Sequence, residues 1–188
     1  MARGGMTAGF EILPGLPGTG PLPEQYSATG RGAHREGFVV RFSPREGAPW
    51  VGNFQLGLGG CNGVFAHPNG SDLVIIAAGQ GYVLDPESRT LSGHFGADIS
   101  TVIEVPERNL LVFANGLWFE ATGASGTVWQ SRRVSWDGVR SVRRVGLTLE
   151  GEAYSPLDGE WHPFSLDLVS GHAEGGSYNG PPEGSAAQ

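Results

Sequence analysis

Residues 91–128 read LSGHFGADISTVIEVPERNLLVFANGLWFEATGASGTV, and this stretch decides the fold. Runs of β-branched, aromatic and other apolar residues, as at 101–105 and 110–114, are separated by turn residues at 106–109 and 115–116. Short runs of this kind between Pro, Asn and Gly indicate β-strands joined by tight turns. The stretch therefore predicts one antiparallel sheet of about four strands.

The same layout occurs a second time upstream. Placing Leu73 on Leu110, 37 positions later, also places Tyr82 on Phe119, and the offset becomes 38 before the first turn. A weaker copy ends at Trp50, and another occupies the last part of the chain. Because self-similarity at a fixed period is the signature of a repeat architecture, the sequence predicts about four quasi-repeats of ~38 residues.

Three features of this stretch match a known repeat. Gly93-His94 precedes the first strand, a Val-Ile-Glu-Val-Pro run follows at 102–106, and the third strand ends in Trp118-Phe119. With these features residues 91–120 resemble a blade of the β-propeller proteins, in particular of the tryptophan-aspartate repeat family. The upstream copy resembles the looser bacterial propeller repeats. The family's terminal Trp-Asp pair is replaced here by Phe119-Glu120.

The resemblance implies an all-β fold, a small or partial β-propeller, with an irregular β-sandwich as the alternative. Propellers typically close with roughly four to eight blades, so four quasi-repeats lie at the minimum. Either the chain closes alone, or an N-terminal arm covers an open edge, or two chains associate. We favour a monomer over a homodimer. Because propellers host binding, scaffolding and enzymatic sites alike, the architecture names no activity.

Composition divides the chain into three parts. Residues 1–36 are rich in Gly and Pro, which predicts an extended arm laid over the domain or a disordered leader. Residues 37–171 contain the repeats and form the β domain. Residues 172–188 consist largely of Gly, Pro, Ser, Ala and Glu with little to bury, which predicts a disordered tail.

The charge balance excludes some classes of partner. At a net charge of -7 and a pI near 5.1, the chain lacks the excess positive charge that drives binding to nucleic acid or anionic membranes. No window reaches the roughly 18 apolar residues of a spanning helix, and the N-terminus lacks the apolar run of a secretory signal. We therefore expect a cytoplasmic protein. The single cysteine, Cys61, excludes an intrachain disulfide and is interpreted as a small buried thiol at a tight crossing between blades.

Five arginines lie within residues 128–145. Asp137-Gly138 in this stretch predicts a two-residue hairpin turn, which sets Arg132 opposite Arg143. Like charges directly across a strand pair are destabilising, so the arrangement predicts a compensating anion. That anion is a ligand or a partner surface in one interpretation, and neighbouring acids such as Glu150 on a solvated face in the other.

The function that these patterns favour is non-catalytic recognition by a binding or interaction module. Its partner would be a protein or a small anionic ligand that contacts loops and hairpins. The candidate binding residues are Arg132, Arg133, Trp136, Arg143, Trp161 and His162. The alternative is a small propeller-type hydrolase or lyase that uses carboxylate and histidine groups. We expect no cofactor and no metal, since the five histidines lack the spacing of a metal site.

Overall fold

The computed structural model describes residues 9–30 and 35–180, which form four sheets of four strands each. The strands of the first sheet are β1 (Gly9–Leu13), β2 (Glu24–Tyr26), β3 (Phe38–Ser43) and β4 (Trp50–Phe54). They lie in the order β1-β3-β4-β2, with β2 parallel to β4 and the other pairs antiparallel. The described residues contain no helix with the length and apolarity needed to cross a lipid bilayer.

Each of the other three sheets is antiparallel and is built from four consecutive strands. The second contains β5 (Gly63–Ala66), β6 (Leu73–Ala77), β7 (Gln80–Asp85) and β8 (Thr90–Phe95). The third contains β9 (Thr101–Val105), a short 3-10 helix (Pro106–Arg108), β10 (Leu110–Ala114), β11 (Phe119–Gly123) and β12 (Gly126–Gln130). The fourth contains β13 (Val139–Val145), β14 (Thr148–Tyr154), β15 (Trp161–Asp167) and β16 (Ala173–Gly175). The predicted all-β fold of repeated sheets, a partial propeller, is confirmed.

The internal repeat of the sequence corresponds to equivalent strands. Leu73 and Leu110 begin the second strands of their sheets, and Tyr82 and Phe119 lie in the third strands. Both aromatic side chains are fully buried. One period of the sequence is therefore one four-stranded sheet with its connection.

The second sheet is buried on both faces, which determines its composition. Leu73, Ile75 and Ala77 of β6 pack against the first sheet, whereas Val74 and Ile76 pack against the third. Because successive side chains of a strand point to opposite faces, β6 has no position that reaches water. The third sheet lies in the same way between the second and the fourth.

In the described part of the chain each sheet packs against the next, which forms an open row. Within residues 9–30 and 35–180, no core cluster joins the fourth sheet to the first. At one end of the row, Pro17 and Pro21 line a small cavity over Arg41 of the first sheet. The chain's own N-terminal region thus lies over that end.

Two segments expected outside the β domain contribute strands to it. β1 and β2 come from the predicted arm and complete the first sheet. β16 comes from the predicted tail and pairs with β15, and Ala173 is buried in the core between the third and fourth sheets. The β domain therefore extends beyond the predicted limits of residues 37 and 171. The parts of the arm and tail at 1–8, 31–34 and 181–188 lie outside the described residues.

A tryptophan links sheets at both ends of the row. Trp50 Nε1 donates a hydrogen bond to the carbonyl of Pro86 at 3.0 Å, and Trp129 Nε1 donates to that of Leu168 at 3.1 Å. Both acceptors lie in the turn between the third and fourth strands of the next sheet. The two tryptophans are 79 positions apart, close to two repeats, as the sequence comparison predicts.

Removal of one indole N–H tests this link. We expect Trp129→Phe to lower the free energy of unfolding by about 2 kcal/mol, because the buried carbonyl of Leu168 loses its donor and part of the ring volume is lost. Chemical denaturation monitored by circular dichroism measures the change. The matched control is Val128→Ala on the same strand, where the side chain is 55% exposed. An equal loss in both variants would contradict the assignment.

The same turns contain equivalent aspartates. Asp167 accepts hydrogen bonds from the Ser170 hydroxyl and from the backbone N–H groups of Ser170 and Val169. Asp85 accepts from Ser88 and the backbone in the corresponding turn. These donors, with the serine hydroxyl first, hold the pKa of both carboxyl groups below their usual range.

This pKa depression predicts a pH-dependent contribution to stability. We expect the double variant Asp85→Asn/Asp167→Asn to lose about 1 kcal/mol of unfolding free energy at neutral pH, where both aspartates carry charge-assisted hydrogen bonds. The contribution is complete above the unfolded pKa of about 3.9 and is lost as the pH falls through the lower folded values. Urea titrations of both proteins across this range measure the difference. A difference that grew towards acid pH would have the wrong sign.

The fourth sheet closes the other end of the row with a polar outer face. Arg140 pairs with Glu152 and Arg143 with Glu150 on this face. Because the charges on this outer face are paired with one another and need no partner, we expect a monomer of 19.7 kDa by light scattering after size exclusion. A sharp peak at twice that mass would contradict this expectation.

Candidate functional site

The connection between the third and fourth sheets is a crossing and not a hairpin. β12 pairs with β11, and β13 pairs with β14, so the predicted hairpin around Asp137-Gly138 is wrong. The physical reason is that Val134, in the middle of the crossing, is fully buried and its N–H bonds back to the carbonyl of Leu117. Arg132 and Arg143 are consequently not cross-strand neighbours.

Arg132 fastens the C-terminal segment to this crossing. Its Nε donates to the carbonyl of Ala173 at 3.0 Å and its Nη2 to that of Gly175 at 2.5 Å. Its Nη1 donates to the carbonyls of Arg133 and Tyr178, both at 3.0 Å. Four of the five guanidinium N–H groups are therefore occupied by backbone oxygens.

Arg133 is held by the crossing and by two aromatic rings. Its Nε donates to the carbonyl of Ser135 and its Nη2 to that of Trp136, both at 2.7 Å. The guanidinium carbon lies 4.7 Å from the ring centroid of Tyr178 and 5.5 Å from that of Trp136. The two rings meet edge to face at 4.6 Å. We call Arg132, Arg133, Trp136 and Tyr178 the arginine–aromatic cluster.

No carboxylate of the described residues neutralises the positive charge of this cluster. Within the described part of the chain, Arg132 and Arg133 form no ion pair, whereas Arg140, Arg143 and Arg144 each pair with a glutamate. The two unpaired guanidinium groups border a cavity of about 410 Å³. Its lining consists of Arg132, Arg133, Tyr178, Asn179 and Gly180.

Two other predicted site residues, Arg143 and Trp161, lie on the outer face of the fourth sheet. Arg143 Nη2 is 2.7 Å from Glu150 Oε2, so the interpretation that neighbouring acids neutralise this face is confirmed for it. The Arg140 guanidinium carbon lies 4.1 Å from the Trp161 ring centroid. The six predicted residues thus do not form one site.

His162, the sixth of them, is paired with a loop aspartate. Its Nε2 is 2.8 Å from Asp158 Oδ2, and both side chains are exposed to solvent. The backbone N–H of Glu160, followed by the Ser155 hydroxyl and His162, lowers the pKa of Asp158. Among the residues that the structure describes, no group of three or more His, Cys, Asp or Glu side chains could hold a metal ion.

The hydrolase or lyase alternative needs carboxylates and a histidine in one cavity. The cavities at the arginine–aromatic cluster and on the outer face of the fourth sheet have no histidine in their linings. Partial burial raises the pKa of the Cys61 thiol, which disfavours the thiolate form that a nucleophile requires. Cys61 lies on the connection from the first sheet to the second and packs beside the core between the second and third sheets, where it is partly buried and not fully buried as the sequence predicts.

One further cavity, of about 380 Å³, lies between the second and third sheets and contains residues that the sequence reasoning missed. Its lining includes Phe95, Asp98, Ile99, Phe113, Asn115, Trp118, Glu120 and Gln130. We call it the inter-sheet groove. These residues come from five separate segments, so spacing along the chain could not reveal them. The available signal was Trp118, a tryptophan placed directly after the Asn115 turn.

No protein-family model and no curated protein sequence matches the chain. Among solved structures it is similar to the crystal structure of a eukaryotic initiation factor, at 11% identity and a TM-score of 0.41, over 74% of this chain and 40% of that one. The chain thus spans about two fifths of that protein's resolved length. It is also similar to Myxococcus xanthus glutaminyl cyclase, at 10% identity and a TM-score of 0.32, over 88% of this chain and 75% of that one. Neither likeness carries an argument about function, and the tryptophan-aspartate repeat family stays a resemblance.

Proposed function

We propose that the protein is a non-catalytic binding module that captures an anionic group, a carboxylate or a phosphate, at the arginine–aromatic cluster. The observation that carries the proposal is the pair of adjacent guanidinium groups that border a cavity and have no carboxylate partner among residues 9–30 and 35–180. Arginine matches both anions with its planar fork of donors. Of the six predicted site residues, Arg132, Arg133 and Trp136 belong to this proposal.

Several guanidinium N–H groups of the cluster are not used in hydrogen bonds within the described residues. Arg133 has five N–H groups and uses two of them on backbone carbonyls. Counting the described residues, three N–H groups of Arg133 therefore remain for an anion, and Arg132 adds one more. Arg133 is the principal binding residue for this reason, while Arg132 supplies mainly charge and the wall of the cavity.

The cluster is also organised before a ligand arrives. Tyr178 and Trp136 restrict the Arg133 side chain by cation–π contact, and two backbone carbonyls fix its plane. Ordering a long side chain on binding otherwise costs about 0.5–1.5 kcal/mol. An anion at this site avoids most of that cost, which favours recognition of a small group or of an acidic side chain on a partner protein.

Titration with inorganic phosphate and with acetate at constant ionic strength tests the proposal. We expect Arg133→Gln to weaken phosphate binding by about tenfold or more, because a charge-assisted hydrogen bond contributes about 1.5–3 kcal/mol. Backbone amide chemical shifts of residues 132–136 and 178–180 provide the measurement. Arg133→Lys keeps the positive charge but loses the planar pair of N–H donors. A phosphate affinity between those of the parent protein and Arg133→Gln would show that the paired donors contribute to binding.

Arg41→Gln is the matched control, since Arg41 is partly exposed but already paired with Glu11. This variant should bind phosphate as the parent protein does. Equal weakening in both variants would mean that only the overall charge matters. The absence of any shift around Arg133 in the parent protein would overturn the proposal.

A further inference from the structure

We propose a second binding site, in the inter-sheet groove, that takes an organic cation such as a guanidinium or ammonium group. This groove is bordered by the second and third sheets and shares no residue with the arginine–aromatic cluster. The inference therefore stands or falls separately from the proposed anion site. Its volume of about 380 Å³ lies within the range of small-ligand pockets, which is roughly 300–1,000 Å³.

The aromatic wall of the groove is the first argument. Phe95 and Phe113 meet edge to face at 4.9 Å and form its apolar base. Trp118 also lines the groove, and in the described part of the chain its ring contacts no guanidinium or aromatic group and its indole N–H has no acceptor. The other tryptophans each have a ring contact with a neighbour, as Trp50 has with Phe42 and Trp161 with Tyr154, or an indole hydrogen bond, as in Trp129. A tryptophan face without an internal partner is the best side-chain surface for a cation.

The charge of the groove is the second argument. Glu120 and Asp98 both line it, and no Arg or His is among the lining residues. Glu120 Oε1 accepts a hydrogen bond from Thr127, while Asp98 has no hydrogen bond or ion pair among the described residues. Glu120 and the exposed Asp98 thus line one small volume with no counter-charge among its described lining residues, and the resulting negative potential favours a cation over a neutral ligand.

The amide side chains of the groove complete the fit. Asn115 Oδ1 accepts hydrogen bonds from the backbone N–H groups of Leu117 and Trp118 and so holds the backbone from which the indole projects. Gln130, opposite Glu120 on the neighbouring strand, has a side chain with no hydrogen-bond partner in the described residues. Its carbonyl oxygen is available as a further acceptor for the N–H groups of a cation.

The probes are N-acetyl-argininamide, agmatine and N-acetyl-citrullinamide. N-acetyl-argininamide carries its guanidinium group on a side chain flanked by two amide bonds, whereas agmatine carries the same group on a chain that ends in a free amine. N-acetyl-citrullinamide is nearly isosteric with the first probe but neutral. We expect the cationic probes to shift the Trp118 Nε1–H resonance, which the loss of one indole signal in Trp118→Phe identifies. Preference for the first or second probe distinguishes a peptide from a free amine as the source of the cation.

Asp98→Asn should weaken binding of the cationic probes by about tenfold, as expected for loss of one nearby opposite charge in a partly exposed site. The matched control is Asp137→Asn, an exposed aspartate outside the groove that should leave binding unchanged. Arg133→Gln should also leave cation binding unchanged, so failure of the anion site and of this site can be told apart. Equal binding of the neutral probe, no effect of Asp98→Asn, or no shift with either cationic probe would each overturn the proposal.

Discussion

The burial of the second sheet on both faces is the constraint on which the rest of the structure depends. Leu73, Ile75 and Ala77 meet one neighbour, and Val74 and Ile76 meet the other, so a single five-residue strand belongs to two cores. A polar substitution at any of these positions would leave a charge or an unpaired dipole between two sheets. The row of sheets is held together by this strand and by its counterpart in the third sheet.

The same constraint explains where the chemistry lies. The middle strands of the second and third sheets are occupied by packing, so the groups of these two sheets that can meet a ligand lie at the crossings and at the adjacent strand ends. The arginine–aromatic cluster lies on the crossing from the third sheet to the fourth, and Asp98 lies on the crossing from the second to the third. Both candidate sites therefore lie where two neighbouring sheets meet and side chains of different repeats come together.

The sequence predicted the repeated sheets well because the period depends on local signals. When Leu73 is aligned with Leu110, the turn residues and apolar runs of the two copies coincide. Each run forms a strand from its local preferences, and the tertiary structure agrees with them. The crossing at residues 131–138 could not be predicted in this way, because Asp137-Gly138 has the local chemistry of a hairpin and only the burial of Val134 excludes one. The inter-sheet groove was missed for a related reason, since Asp98 and Trp118 approach each other only when two sheets pack.

The Arg132 side chain has two roles, and the first is its hydrogen bonds to the segment from Ala173 to Tyr178. It ties down the end of the last sheet, and it borders the cavity proposed for an anion. Selection on either role must then act on the other: a substitution that retuned ligand preference at this position would also loosen the chain end.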